Sequence, residues 1–204
     1  HELRQRAPIT NIVFMGMGEP LDNYENVMKA IRILNDKDGL EIGARKITIS
    51  TSGIIEGMKN LMDEGIQVEL SVSLHAAGDQ KRKQILPLAK RYPLRELIDA
   101  CKKYAENTGR IITFEYILID GFNNKDEDIT ELVRLLKDFK CKINIIPYNK
   151  VEGLDYKMPS KKQAYFFAEK LRKKGLSVTI RFSKGQDVQA ACGQLAAQFR
   201  GVAQ

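Results

Sequence analysis

Gln67-Val68-Glu69-Leu70-Ser71-Val72-Ser73-Leu74 changes character at every residue. Side chains of a β-strand point alternately to opposite faces. Val68, Leu70, Val72 and Leu74 therefore share one face, and Glu69, Ser71 and Ser73 share the other. The same rhythm sets Ile47 and Ile49 against Thr48 and Ser50, and Phe114 and Tyr116 against Thr113 and Glu115. It also sets Val178, Ile180 and Phe182 against Thr179 and Arg181. Alternation alone would suit an antiparallel sheet with one wet face. The segments between the strands argue otherwise. Tyr24 to Asp38 carries Val27, Ala30, Ile31 and Leu34 at helical spacing and stops at Gly39. Ile54 to Glu64 does the same with Ile54, Ile55, Met58, Leu61 and Met62, and Gly65 ends it. A third helix follows Pro93, a residue suited to a first helical position. Asp126 to Phe139 reads as a fourth. Ser160 with Gln163 opens a fifth by a capping box, and Gly175 closes it.

The strands these helices separate are Asn11 to Met17, Arg45 to Ser50, Gln67 to Leu74, Ile111 to Ile119, Cys141 to Pro147 and Ser177 to Phe182. Six strands with intervening helices predict a parallel sheet with right-handed crossovers. A closed eight-stranded barrel fills its interior with Val, Ile and Leu. The polar inner face here predicts instead an α/β fold that is most of a parallel β/α barrel, wider or open, with room for ligand and water. No linker or composition break divides residues 1–204, which are expected to form one domain.

Composition narrows the function classes. The 204 residues include 29% charged and 43% hydrophobic residues, a globular balance. No apolar run approaches the roughly 20 residues of a membrane span, and no secretory leader is visible, so a cytoplasmic protein is expected. The net charge is +7. Lys81-Arg82-Lys83, Lys90-Arg91, Lys161-Lys162 and the run from Lys170 to Lys174 concentrate it. Each cluster alone reads as a solvated helix face; the summed excess favours a polyanionic partner such as RNA. The three cysteines, Cys101, Cys141 and Cys192, form neither a disulfide framework nor a metal-ligand spacing. Cys101 lies on an apolar stripe with Leu94, Leu97, Ile98 and Tyr104, and Cys141 opens a strand. Both are expected in the core. Cys192 differs, sitting among Gly and small residues.

Ligands of parallel β/α folds bind at the carboxyl ends of the strands. Those ends read Met15-Gly16-Met17-Gly18-Glu19-Pro20, Ser50-Thr51-Ser52-Gly53, Ser73-Leu74-His75-Ala76, Asp120-Gly121-Phe122-Asn123, Pro147-Tyr148-Asn149 and Ser183-Lys184-Gly185. One polar end is ordinary turn chemistry; six on one rim suggest a site. Gly16 and Gly18 allow close backbone approach. Glu19 offers a carboxylate to an ammonium group, Ser50 and Ser73 offer hydroxyls, and Asn149 an amide. His75 is the one imidazole placed for chemistry, as a hydrogen-bonding residue or as a general base. A zwitterionic amino acid joined to a nucleoside would suit this set, as would other polar ligands.

Gly16-Met17-Gly18-Glu19-Pro20 resembles the glycine-rich Gly-Glu motif of radical S-adenosylmethionine (SAM) enzymes. Ile49-Ser50-Thr51-Ser52-Gly53, Ser73-Leu74-His75-Ala76 and Asp187-Val188-Gln189-Ala190-Ala191-Cys192-Gly193-Gln194-Leu195 together resemble the RlmN-type methyltransferases. The likeness runs from about Ile9 to Leu195. It implies a partial (open) parallel β/α barrel of the radical SAM type, lacking its first strand, with residues 183–204 as an active-site tail. It implies methylation of C2 of an adenine in 23S rRNA, and in tRNA, with SAM and a 4Fe–4S cluster as cofactors. By the same likeness Gly18, Glu19, Ser50, Ser73, Leu74, His75 and Asn149 bind SAM. Cys192 is the thiol that is methylated and then, as a methylene radical, adds to the base. The implied partners are 23S rRNA, tRNA and an electron donor such as flavodoxin or ferredoxin, with the protein a monomer. The chemistry is coherent: adenine C2 is not nucleophilic, and a carbon radical held on the protein supplies proximity.

The family's Cys-x3-Cys-x2-Cys cluster motif is absent, as are its N-terminal RNA-binding domain and its adduct-resolving cysteine. The expectation is therefore a truncated chain that cannot form the radical by itself. Three other readings stand beside this one. The sister family that methylates adenine C8 shares the Cys192 tail but is expected to carry Ala at Pro20 and Arg at Pro147. A non-catalytic RNA-binding module on a degenerate scaffold would also lack the cluster motif. A phosphate-binding barrel would use Ser183-Lys184-Gly185 as its anion site. For RNA contact Arg181 and Lys184 are the candidates, although Glu115 and Arg181 are also placed to pair with each other.

Overall fold

The computed structural model of the chain describes residues 9–16, 18–151 and 153–182. Six strands are present among them: β1 (Ile12–Phe14), β2 (Ile47–Thr51), β3 (Glu69–Ser73), β4 (Ile112–Leu118), β5 (Cys141–Pro147) and β6 (Ser177–Ile180). They lie in chain order in one six-stranded sheet. The β1–β2, β2–β3 and β5–β6 pairs are parallel, with Phe14 opposite Ile49, Ser50 opposite Ser71, and Ile145 opposite Ile180. Parallel neighbours need a crossover between them. Helices supply it: α1 (Tyr24–Asn35), α2 (Ile55–Asp63), α3 (Asp79–Ile85), α4 (Leu94–Thr108), α5 (Asp126–Leu136) and α6 (Lys161–Lys173). The expected α/β architecture of a partial, open parallel β/α barrel is the one observed.

The chain divides into two compact units, His1–Val72 with Arg95–Ile112, and Ser73–Leu94 with Thr113–Gln204. In the first, the apolar rows of β2 and β3 are sealed: Ile47, Ile49, Val68, Leu70 and Val72 are buried. So are Met28 and Ile31 of α1, Met58 and Leu61 of α2, and Leu97, Cys101 and Tyr104 of α4. Each such side chain removed from water contributes roughly 1.5–3 kcal/mol. Around this core, the Tyr24 hydroxyl and the Arg32 guanidinium both donate to the Glu64 carboxylate, at 3.0 and 2.6 Å. Arg110 pairs with Glu69.

In the second unit Phe114, Tyr116 and Leu118 of β4 are buried, as are Ala164, Phe167, Ala168 and Leu171 of α6. Tyr116 stacks on Phe167 with ring centroids 5.7 Å apart. The capping box at Ser160 forms as its sequence predicts. Its hydroxyl accepts from the Gln163 N–H at 3.2 Å, and its own N–H donates to Gln163 Oε1 at 2.8 Å. Cys101 and Cys141 are buried, as expected, whereas Cys192 lies outside the described residues.

Helix α3 is the element that patterning does not predict. Asp79-Gln80-Lys81-Arg82-Lys83-Gln84-Ile85 has no apolar stripe. The helix is fastened by polar groups instead. Arg82 is fully buried, and its guanidinium donates to the Ser73 carbonyl at 3.2 Å and the Tyr92 carbonyl at 3.5 Å. The Asp79 carboxylate accepts from the Leu94 N–H at 2.9 Å. Buried charge is tolerated where hydrogen bonds replace water.

Candidate functional site

In the first unit the site residues follow β1 and end β2. Gly18 adopts φ +90°, a left-handed conformation open to glycine, and is exposed. Glu19 comes next and is half-buried. Its Oε1 accepts from the Leu21 N–H at 3.1 Å, and its Oε2 from the Ser52 N–H at 2.6 Å. The carboxylate thus ties the loop after β1 to the end of β2. A carboxylate has about four acceptor sites, so Glu19 keeps capacity for an ammonium group. Beside it lies a cavity of about 380 Å³, lined by Phe14, Gly16, Gly18, Glu19, Pro20 and Asn23 among others. Ser50, in β2, is half-buried, and no hydrogen bond to its hydroxyl is found among the described residues. The neighbouring Thr51 Oγ1 is occupied, accepting from the N–H groups of Gly53 at 3.0 Å and Ile54 at 3.4 Å. That turn starts α2.

In the second unit Ser73 closes β3 with a half-buried hydroxyl that likewise has no partner among the described residues. Leu74 is fully buried, and its N–H donates to the Glu115 carbonyl at 3.0 Å. Its side chain belongs to the core, and its carbonyl accepts from the Ala76 N–H at 2.7 Å. His75 is 8% exposed and has φ +58°, rare for a residue with a Cβ. Its ring Nδ1 accepts from the Ile117 N–H at 3.2 Å, so the ring proton belongs on Nε2. Burial, seconded by the positive charge of Arg82, pushes the imidazole pKa down to about 4. His75 is therefore a neutral Nε2–H donor at physiological pH. This favours the hydrogen-bonding reading of the residue over the general base. Asn149 follows β5 and is half-buried.

Glu115 is buried on the polar face of β4. Its carboxylate accepts from the Asn144 amide at 2.7 Å, and Asn144 Oδ1 accepts from the Thr179 hydroxyl at 3.1 Å. This ladder replaces the Glu115–Arg181 pairing that the sequence suggested. Arg181 is exposed, with its backbone N–H on the Ile145 carbonyl at 2.8 Å. Strand β5 stands one rung from β6, so an amide in β5 reaches both Glu115 and Thr179. Asn144 was missed; its place on the alternating inner face of Cys141–Pro147 was the available signal. Lys184 and Ser183 lie outside the described residues.

The predicted residues thus fall into two groups, Gly18, Glu19 and Ser50 in the first unit, and Ser73, Leu74, His75 and Asn149 in the second. All sit at or just beyond the carboxyl end of a strand. Each group fits part of SAM in kind: in the first unit a carboxylate suits the ammonium, and in the second a hydroxyl and an N–H donor suit the carboxylate or ribose. Neither group, among the described residues, fits an iron–sulfur cluster. Cys101 and Cys141 are buried on separate elements. No group of three His, Cys, Asp or Glu able to hold a metal occurs among the described residues.

Comparison with known proteins places the chain. The family model of the radical SAM superfamily matches residues 1–136. A protein of Alkaliphilus oremlandii named "Probable dual-specificity RNA methyltransferase RlmN" is 49% identical over 187 residues, covering 92% of this chain and 54% of that protein. One of Moorella thermoacetica with the same name is 52% identical, covering 92% and 53%. The chain thus spans about half the length of the curated relatives it matches. The crystal structure of a radical SAM methyltransferase from Sphaerobacter thermophilus superposes with a TM-score of 0.90 at 46% identity, over 95% of this chain and 57% of that one. A domain of a pyruvate-formate lyase-activating enzyme from Bacteroides vulgatus shares the fold alone, at 18% identity and a TM-score of 0.66. A glycine-rich loop ending in an anchored glutamate after β1, on a parallel β/α sheet matched by that family model, means that the chain belongs to the radical SAM superfamily.

Proposed function

We propose that the chain serves an RNA methyltransferase that modifies C2 of an adenine in 23S rRNA and tRNA. The observation that carries this reading is the likeness to the Sphaerobacter thermophilus methyltransferase, at 46% identity over 95% of the chain. The net charge of +7 supports a polyanionic substrate. SAM is assigned to Gly18, Glu19, Ser50, Ser73, Leu74, His75 and Asn149, as the resemblance implies. Bound SAM would supply the methyl group and, with one electron from a reduced 4Fe–4S cluster and release of methionine, the 5′-deoxyadenosyl radical. Glu19 orients the ammonium from a carboxylate that two backbone N–H groups hold in place. His75 contributes a neutral N–H donor. Cys192 is the carrier thiol, its neighbours Ala190, Ala191 and Gly193 small enough to let it approach the base.

The 204 residues hold no set of cysteines for a cluster, so the chain alone is inferred not to methylate RNA. The partners this reading implies are 23S rRNA, tRNA and a flavodoxin- or ferredoxin-like electron donor. The setting is the cytoplasm, and the protein is a monomer. Among the described residues no helix is long and apolar enough to cross a membrane.

Pro20 and Pro147 favour C2 over the C8 chemistry of the sister family. The test is a chimera in which residues 9–195 replace the matching segment of the Sphaerobacter enzyme. Mass spectrometry of its RNA should find 2-methyladenosine, lost with Cys192→Ala. Detection of 8-methyladenosine would transfer the chain to the sister family, and unmethylated RNA would refute the assignment. In the chain itself, Glu19→Gln should weaken SAM binding at least about tenfold by calorimetry, the scale of a charged hydrogen bond.

A further inference from the structure

His75 carries an unusual number of constraints for one residue. Its φ of +58° belongs to a three-residue turn closed by the Ala76 N–H on the Leu74 carbonyl at 2.7 Å. Turns of this handedness are rare and strained, and such backbone persists only where its surroundings enforce it. The enforcement comes from β4 and the loop after it. The N–H groups of Leu74 and His75 both donate to the Glu115 carbonyl, at 3.0 and 3.2 Å. The ring Nδ1 takes the Ile117 N–H. The Glu115 backbone and the Arg82 charge also act on the ring, and a further contact is made by a side chain, the carboxamide of Asn123.

Asn123 is fully buried. Its Nδ2 donates to the His75 carbonyl at 2.8 Å and to the Ile117 carbonyl at 2.7 Å. Its Oδ1 accepts from the Ile119 N–H at 2.7 Å, and its own carbonyl accepts from the Tyr116 hydroxyl at 2.8 Å. Both amide protons are therefore spent on the two backbone units that define the imidazole: the one that bears it, and the one whose N–H holds its Nδ1. A primary amide alone among side chains of this size offers two donors and an acceptor in one plane. Aspartate would face two carbonyl oxygens with a third oxygen, and leucine would strand all three groups.

We propose that Asn123 is the positioning residue of His75, clamping the left-handed turn so that the imidazole keeps its proton on Nε2 in a fixed orientation. Its consequence for ligand binding rests on the reading of His75 as a SAM-binding residue; the clamp itself does not.

The chain has only two histidines, so nitrogen-15 spectra of histidine-labelled protein resolve His75 directly. At pH 7 the unmodified chain should show the neutral Nε2–H tautomer, and the Asn123 side-chain NH2 should exchange slowly with solvent. Asn123→Asp should shift His75 toward the Nδ1–H or doubly protonated form and weaken SAM at least tenfold, with the far-ultraviolet circular dichroism retained. A merely structural role would lower stability and leave the tautomer alone. A folded Asn123→Asp with an unchanged His75 signature overturns the proposal. Should that variant not fold, the unmodified chain decides: rapid exchange of the Asn123 NH2, or an Nδ1–H ring, overturns it equally. His75→Gln separates the two claims. If it binds SAM as tightly as the unmodified chain while Asn123→Asp has moved the ring, the clamp stands and the SAM reading of His75 falls. If it loses SAM while the ring in Asn123→Asp has not moved, the clamp falls and the reading stands.

Discussion

His75 couples folding to pH in a direction that its environment sets. Its imidazole pKa falls from 6.5 to about 4 on folding, through burial first and the Arg82 charge second. Between those values the unfolded chain binds the proton and the folded chain does not. Stability from this residue is therefore complete above about pH 6.5 and is lost as pH falls toward 4, on the order of 3 kcal/mol in all. Urea titrations at pH 4.5 and 7 should show a smaller difference in His75→Gln than in the unmodified chain. Equal differences would mean that the ring is charged in the folded state. At this level the sequence was partly legible. Glu19, Ser50, Ser73 and His75 could be singled out as candidates because charge, hydroxyl and imidazole recur at several strand ends of one sheet. Asn123 and Asn144 could not, because an asparagine in Asp120-Gly121-Phe122-Asn123 reads as part of a turn and one among isoleucines reads as an exception. Their roles depend on what faces them across the fold, and spacing along the chain does not contain that.

Periodicity makes most of the elements readable, and charge hides one. The apolar rows of β2 to β4 and the stripes of α1, α2, α4 and α6 follow the two periods that burial imposes. Helix α3 escapes because its buried residue is Arg82, and a guanidinium counts as solvent in any hydropathy pattern. Some strands run shorter than predicted, β1 stopping at Phe14 before its glycines and β6 at Ile180, while β5 keeps its predicted bounds and β2 runs on to Thr51. The junction from β2 to α2 shows how tightly such ends are drawn. Gly53 has φ +108°, and a Cβ there would lie 2.7 Å from Leu97 Cδ1. Gly53→Ala combines left-handed strain of about 1–2 kcal/mol with displacement of Leu97. It should lower stability by about 2–3 kcal/mol in urea unfolding. A change under about 0.5 kcal/mol would show that the turn relaxes freely.

Taken as a whole, the molecule sets a surplus of positive charge beside a shortage of sulfur ligands. Its three cysteines stand 40 and 51 residues apart, counted from positions 101, 141 and 192, and three thiolates must reach one cluster together. Anaerobic reconstitution of the chain with iron and sulfide should leave no stoichiometric iron–sulfur absorbance in the visible. A 4Fe–4S spectrum at one cluster per chain would contradict the ligand assignment. The alternation of apolar and polar side chains along the strands also bears on how such a scaffold changes over time. On the helix-facing rows, substitutions are judged by volume. On the opposite rows, where Glu115, Asn144 and Thr179 form their ladder, they are judged by counts of donors and acceptors. Two independent currencies of selection thus run along the same strands, so a lineage can exchange one specificity for another without disturbing the packing beneath it.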